Sequence, residues 1–502
     1  MTATAEASLD AASVRPRAAQ WQAAVPAVVA FALMLLVGRA GARRPALGWD
    51  EFATLEAARR PVSAILRLAV HTDGVIAPYY VFMHYWIRVA GESELAMRLP
   101  SLIAVAAGVG LAVELARRLF GTAAAVIAAA LLIAVPSLSY YAQEARGYGL
   151  AFCLATLATL LLYRRPASGR AWTAYAVSLA LAGLLHMFAL LILAGHAVIV
   201  RNRWTGRARR PWLIAAALGA VPAVPLAVIG LGQHQEQLGW LSPLSWRSLL
   251  DAPGALLGTT LVRGRPSAVA DMAAMGFLLA GILLAKIART AVAMELLTLA
   301  LTPPAVLIGL SLAGYPVWVP RYALPCLVPL VLLVAAALSH LPRPVSWLRP
   351  TAAVVIFGLL ALGPLAAVRT AGSHVGGDYR KMAEFLQSRI QPGDVIVYGA
   401  QSQWALRGAM DYYVPASARP HDVLLDRTAA ELDRLSPSER PAAGNLGSAQ
   451  YAWYLRSTGL GDPLGGDPRL ADPRLDELRR WYRPVESWQD GSVYLSRWAR
   501  LP

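Results

Sequence analysis

Gly48-Trp49-Asp50-Glu51-Phe52 follows closely on the first apolar run of the chain, residues 21–39. Two adjacent carboxylates at the water end of a membrane helix are not accounted for by packing, because ionisable groups near membrane depth are costly and usually functional. A carboxylate positioned beside a hydroxyl group can accept its proton. The bland reading is a helix cap: Asp50 precedes Phe52-Ala53-Thr54-Leu55, and Glu51 suits the positive end of a helix dipole. Both readings hold at once if the cap orients Asp50. The question for the rest of the chain is whether further polar side chains reach the same membrane face.

Composition supports a membrane setting. The 502 residues are 57% hydrophobic, with mean hydropathy +0.48, above the roughly 45–50% apolar usage of soluble domains. A net charge of +16 raises the question of nucleic acid. However, the arginines cluster at the ends of apolar runs, as topology requires, and no basic-aromatic reader motif occurs, so no nucleic-acid partner is expected. Lys286 and Lys381 are the only lysines, and with abundant Ala this composition hints at a high-GC bacterial genome. Cys153 and Cys326 both sit in apolar runs and read as small buried hydrophobes, with no disulfide framework or metal-ligand spacing. No cleavable signal peptide is expected, since the first twenty residues are polar.

About 20 apolar residues cross a bilayer as a helix. Candidate spans lie at 21–39, 99–117, 121–139, 148–163, 212–231, 267–286, 291–313, 322–340 and 351–368. Residues 171–200 are too long for one helix and are interrupted by His186. Arg164, Arg165 and Arg170 flank this run on one side, and Arg201, Arg203, Arg207, Arg209 and Arg210 on the other. If both flanks are cytoplasmic, the run is two short helices with a tight external turn at His186. The expected architecture is therefore an α-helical polytopic membrane protein of eleven spans, with a cytoplasmic tail at 1–20 and the carboxyl terminus outside.

Residues 75–90, VIAPYYVFMHYWIRVA, are treated differently. Counting them as a span would place the Arg-rich segments outside, against the positive-inside tendency. Their aromatic content, with His84 and Arg88, suits a helix lying in the interface plane. Residues 40–98 then form one long external loop, which carries Asp50, Glu51, His71, Asp73 and Arg98. The transmembrane domain runs over 21–370, and 371–502 has the composition of a small α/β domain on the same external side. Within it, 378–389 has helical rhythm, Gln391-Pro392-Gly393-Asp394 is a turn, and Val395-Ile396-Val397-Tyr398 reads as a buried strand.

Several further sets of residues are expected at the external face. His71-Thr72-Asp73-Gly74 with Pro78-Tyr79-Tyr80 is either a site or an interfacial loop with an aromatic anchor. Arg98-Leu99-Pro100-Ser101 opens a span with ordinary helix-start residues. Tyr140-Tyr141-Ala142-Gln143-Glu144-Ala145-Arg146-Gly147-Tyr148 places more polar groups in a tight turn than a linker needs, although Glu144 and Arg146 could simply neutralise each other. His186 is a core histidine or a site residue. Arg321, in Trp318-Val319-Pro320-Arg321-Tyr322, lies on the face where arginines are scarce. It is either a snorkelling anchor or a clamp for phosphate, which the guanidinium fork suits. No Walker or Rossmann glycine loop is present, which disfavours a nucleotide-sugar donor.

Taken together, the acidic pair after the first span, the HxDGxxPxYY segment at 71–80, Arg98-Leu99-Pro100-Ser101, the YYAQEARGY run at 140–148 and the outer Arg321-Tyr322 resemble a GT-C glycosyltransferase. Within that superfamily the chain is similar to the family-39 protein mannosyltransferases and the related bacterial aminoarabinose transferases, over roughly 20–370. The resemblance implies inverting transfer of a sugar from a polyprenyl-monophosphate donor at the outer face of the bacterial plasma membrane. It implies Asp50 as the catalytic acidic residue with Glu51 as its partner. It also implies a second acidic site in the external loop of Glu144 and Arg146; Gln143 and Tyr148 of that loop, and His71, Asp73 and Tyr79 of the interfacial loop, are further candidate site residues. The chain departs from the family where His71-Thr72-Asp73-Gly74 replaces the usual HPP, and where the small carboxyl-terminal domain replaces the sugar-binding repeat domain of the eukaryotic enzymes.

Inversion requires a base for the acceptor proton and positive charge for the departing phosphate. Asp50 suits the first role, and Arg321 with Tyr322, His186 and Arg98 the second. A divalent cation shared by Asp50 and Glu144 is the alternative to direct arginine binding. Mannose is the favoured sugar, with a pentose of the arabinose type as the alternative, and the acceptor is an extracytoplasmic glycan, lipid or protein. The competing class is a lipid-linked sugar transporter or flippase, which predicts related halves and broken helices at the midplane. Here the polar residues crowd one face.

Overall fold

The computed structural model describes residues 17–239, 241, 243–259, 274, 276, 281, 290–340, 347–400, 403–447, 449–457 and 472–502. The expected tail at 1–20 and the expected span at 267–286 lie mostly outside them. Helix α1 (Arg17–Arg39) is the first apolar run. The chain then reverses through Gly41, whose φ of +77° favours glycine. Four helices follow: α2 (Trp49–Arg59), α3 (Val62–His71), α4 (Ala77–Ala90) and α5 (Glu94–Phe120). The acidic pair thus falls in the first turn of α2, where carboxylates are favoured by the helix dipole. Of residues 75–90, the first two close a 3-10 turn (Gly74–Ile76) and the rest form α4, packed on α2, α3 and α5.

Helix α5 packs along α1 and along α8 (Tyr148–Tyr163). Between them the expected span at 121–139 is a pair, α6 (Thr122–Ala134) and α7 (Pro136–Ala142), bent by 63°. Pro136 explains the bend, since the ring forbids the preceding residue a helical conformation and supplies no N–H. The run at 171–200 breaks at His186 as expected, giving α9 (Gly169–Leu185), a short 3-10 turn (Met187–Leu191) and α10 (Ile192–Arg203).

Among the described residues, six helices are long and apolar enough to cross a membrane, or seven if the bent pair is one span. Helices α8, α9 and α10 are shorter than the roughly 20 residues of a full span, so the figure of eleven remains an expectation. The chain is a multi-pass membrane protein by this count. Its outer helices are apolar yet open: of the most apolar 18 residues, only 11% in Leu348–Ala367 and 17% in 22–39 are buried, against 67% in Pro320–Ser339. Helices that leave leucine and valine uncovered in this way find their cover in lipid.

Among the described residues the carboxyl-terminal part carries seven strands: β1 (Val395–Tyr398), β2 (His421–Asp422), β3 (Leu425–Arg427), β4 (Ser438–Glu439), β5 (Tyr451–Ser457), β6 (Tyr482–Asp490) and β7 (Val493–Arg500). Five of them form one sheet in the order β2-β1-β5-β7-β6, with β2, β1 and β5 parallel and β7 and β6 antiparallel. The expected helix and strand appear at Tyr379–Gln387 and Val395–Tyr398. This α/β unit shares a core with the acidic-pair helix: Phe52 and Leu55 of α2 are buried with Tyr379, Met382, Leu406 and Met410. Gly408, in the helix Gln403–Tyr413, lets that approach occur, because a Cβ there would lie 3.1 Å from Phe52.

Candidate active site

The two carboxylates of the acidic pair have opposite surroundings. Glu51 is wholly buried. Its Oε1 accepts from Arg98 Nε at 2.8 Å and from the Ala145 amide at 2.9 Å, and its Oε2 accepts from Arg98 Nη2 at 2.6 Å and the Gly48 amide at 2.8 Å. Burial alone would push this carboxyl up, but the Arg98 guanidinium outweighs it and holds Glu51 below the usual carboxylate range. Arg98 gives its remaining N–H groups to the carbonyls of Ala42, Pro45 and Ala46. All five guanidinium donors are spent inside the protein. Arg98, expected among the phosphate ligands, is therefore a strut for Glu51 and residues 42–46, with no donor left for a phosphate.

Asp50 is open, with 37% of its side-chain surface accessible. Arg146 Nη2 lies 3.1 Å from Oδ1, and Arg321 Nη2 lies 3.7 Å from Oδ2. Desolvation pushes the Asp50 carboxyl up, yet the two guanidinium charges prevail and hold it below its ordinary value. Asp50 is thus a carboxylate facing outward between two cations, not part of a closed salt bridge.

Each cation is oriented in turn. Arg146 Nη1 donates to Tyr80 Oη at 3.1 Å, and Tyr80 donates to Asp73 Oδ2. Asp73 holds the left-handed backbone conformation, φ 56°, uncommon outside glycine. Burial raises its carboxyl, partly offset by the Arg146 charge. Arg321 Nε donates to Tyr148 Oη at 2.9 Å, with the guanidinium 5.4 Å above the Tyr148 ring and 5.7 Å from the Tyr322 ring. His186 sits beside these rings, tilted against Tyr322 at 4.7 Å and edge-on to Tyr148 at 5.2 Å. The residues expected from three separate segments, Asp50, Arg146 with Tyr148, and Arg321 with Tyr322 and His186, therefore converge.

Glu144 is buried, and its Oε2 has no hydrogen-bond partner. Burial and the neighbouring Asp50 charge push its carboxyl up to about 8, against the pull of Arg321. Its surroundings favour the neutral acid over the carboxylate. Gln143 is a structural member, its amide donating to the carbonyls of Gly38 and Ala40 at the end of α1. Tyr79 is buried in the packing of α4, and His71 lies exposed at the end of α3. Among the described residues no three His, Cys, Asp or Glu side chains gather as a metal-holding set. The positions beside the Asp50 oxygens are taken by Arg146 and Arg321.

Sequence reasoning missed Tyr80, which ties Arg146 to Asp73. It also missed His374, a buried ring stacked on Tyr140 at 4.5 Å, with Nδ1 3.7 Å from Glu51 Oε2. The HxDGxxPxYY segment already contained Tyr80. Nothing in the sequence singled out His374.

Residues 77–229 match the family described as dolichyl-phosphate-mannose-protein mannosyltransferase. Two solved structures of ArnT from Cupriavidus metallidurans share the fold. In the apo state the identity is 16% and the TM-score 0.59, covering 96% of this chain and 98% of that one. Bound to undecaprenyl phosphate the identity is 14% and the TM-score 0.58, covering 94% and 97%. No curated protein matches by sequence. From α1 to the carboxyl-terminal sheet the chain has the fold of a GT-C glycosyltransferase, and it resembles the protein mannosyltransferase and ArnT-like enzymes.

Proposed function

We propose that the chain is an inverting glycosyltransferase of the bacterial plasma membrane, moving a sugar from a polyprenyl-monophosphate donor to an extracytoplasmic acceptor. The observation that carries this reading is the open carboxylate Asp50, set between Arg146 and Arg321. The amino terminus is placed in the cytoplasm and the 371–502 unit outside, on the side of Asp50.

In this reading the acceptor hydroxyl attacks the anomeric carbon while its proton passes to Asp50. The bond from that carbon to the phosphate oxygen breaks, and the lipid phosphate departs with the electron pair. Arg321, held by Tyr148, offers a planar fork to that phosphate. The same movement helps the base. Arg321 touches Asp50 only at 3.7 Å; once engaged by phosphate it no longer stabilises the Asp50 anion, and Asp50 becomes a better proton acceptor. Charge stabilisation by arginine takes the place considered for a divalent cation shared by Asp50 and Glu144.

Mannose is the first candidate sugar, since the matched family is described by it. The pentose alternative is supported by the ArnT-like fold over nearly the whole length. Membranes containing the protein, incubated with labelled polyprenyl-phosphate mannose or polyprenyl-phosphate arabinose, decide between them. Release of one label to an acceptor identifies the sugar, and release of neither, in membranes that carry the acceptors, sinks the enzymatic reading.

A further inference from the structure

The acidic pair is carried by a short connecting run, residues 42–48, a turn and bend as far as Pro45 and without secondary structure from Ala46 on. Such a segment would ordinarily wander, because each ungathered residue keeps about 1–2 kcal/mol of backbone entropy. Here five consecutive carbonyls are all engaged by two arginines from distant elements. Arg98 of α5 takes those of Ala42, Pro45 and Ala46. Arg380, in the helix Tyr379–Gln387 of the carboxyl-terminal unit, takes Arg44 at 2.8 Å, Arg43 at 3.1 Å and Pro45 at 3.3 Å.

The contacts continue to the edge of the acidic pair. The Ala46 amide donates to the Ala371 carbonyl at 2.9 Å, the Leu47 amide to Tyr413 Oη at 2.9 Å, and Trp49 Nε1 to Tyr379 Oη at 3.1 Å. Glu94, at the start of α5, pairs with Arg380 and accepts from Tyr413 at 2.6 Å. Residues 371–413 therefore hydrogen-bond every residue from Arg43 to Trp49 except Gly48, whose amide is held by Glu51.

We propose that Arg380 is a positioning residue for the reaction: through the clamp on 43–45 the carboxyl-terminal unit sets the placement of the Asp50 carboxylate. The inference rests on Asp50 being the base. A loosened run would still bind donor, since Arg321 and Tyr148 lie elsewhere, but would present Asp50 off line. Misplacement by about 1 Å costs on the order of 10²-fold in rate, so the signature is a fall in kcat at unchanged donor KM.

The test uses the full chain in detergent with polyprenyl-phosphate sugar, comparing Arg380→Gln, Arg380→Lys and the neighbouring exposed Lys381→Gln. Arg380→Gln should lose about tenfold or more in kcat with donor KM within about twofold, Arg380→Lys should recover part of the loss, and Lys381→Gln should match the parent. Limited trypsin digestion reads the clamp without activity. The Arg43–Arg44 bond, resistant in the parent, should be cut in Arg380→Gln. Parental kcat in Arg380→Gln overturns the proposal, as does a loss that tracks only the amount of folded protein or appears in KM alone. If the parent transfers no sugar, the functional reading fails, while an uncut Arg43–Arg44 bond in Arg380→Gln would separately refute the clamp.

Discussion

Asp50 and Glu295 are both carboxylates met by arginine in the helical part of the molecule, and they differ in whether their hydrogen bonds are closed. Glu295, in the helix Ala291–Leu312, is completely buried. It receives Arg203 at 2.9 Å, Tyr163 Oη at 3.0 Å and Asn202 Nδ2 at 3.3 Å. The Arg203 guanidinium also lies 4.6 Å over the Tyr163 ring. That cluster has spent its polar capacity on itself, which is how a buried charge staples helices together. Asp50 has one close cation, one loose one and an open face. Charge alone therefore does not mark a site; unspent charge does.

The contrast is broken most directly at Asp50. Asp50→Asn keeps the shape and removes the proton acceptor, so turnover should fall by about 10²–10⁴-fold while donor binding persists. Near-parental transfer by that variant would remove Asp50 from the chemistry. Arg321 comes next. Arg321→Ala should cost about 10²–10³-fold in kcat, the size found for a lost transition-state donor. Arg321→Lys keeps a charge but loses the fork and the Tyr148 hydrogen bond, so donor KM should rise and kcat fall together. A lysine variant equal to the parent would make Arg321 a membrane anchor.

Glu144 sharpens the comparison through pH. Its carboxyl is pushed up to about 8, so it is neutral below that pH and ionised above it. Ionisation would place a second negative charge beside Asp50, near the expected phosphate. The kcat/KM should therefore decline above about pH 8, and Glu144→Gln should abolish the decline while staying within about a few-fold of the parent at pH 7. An alkaline limb unchanged in the variant would assign the decline to another group, and an inactive variant at pH 7 would mean Glu144 works as a carboxylate.

Much of this was legible in the sequence, for one reason: in an apolar background every charged residue at a span end stands out. Asp50, Glu144, Arg146, His186 and Arg321 were all visible that way, and the helix break at His186 followed from the arginine flanks. The same signal pointed to Arg98, but sequence cannot tell whether a guanidinium has donors to spare, and Arg98 has none. Residues in soluble-looking segments gave no contrast. Arg380 sits in an ordinary amphipathic helix, and its partners lie about 335 positions away. Periodicity reports which face of a helix is buried, not what is buried against it. The shared core of Phe52 with Tyr379 was therefore beyond reach.

The smallest expected effect on turnover belongs to the other side of the comparison. Glu295→Gln keeps the size of the side chain and its acceptor oxygen, so Tyr163 and Arg203 retain a partner. Arg203 is 20% exposed, which gives its unbalanced charge a route to water. Breaking a fully buried pair costs about 3–5 kcal/mol; with this release and a retained hydrogen bond, about 1–3 kcal/mol is the expectation. The apparent unfolding midpoint in detergent should drop by about a few degrees. Turnover at a permissive temperature should change by less than about twofold, because no polar contact links Glu295 to Asp50, Arg146 or Arg321 among the described residues. A large kcat loss with an unchanged midpoint would show that a closed cluster can still take part in the reaction, and the distinction between spent and unspent charge would no longer locate the site.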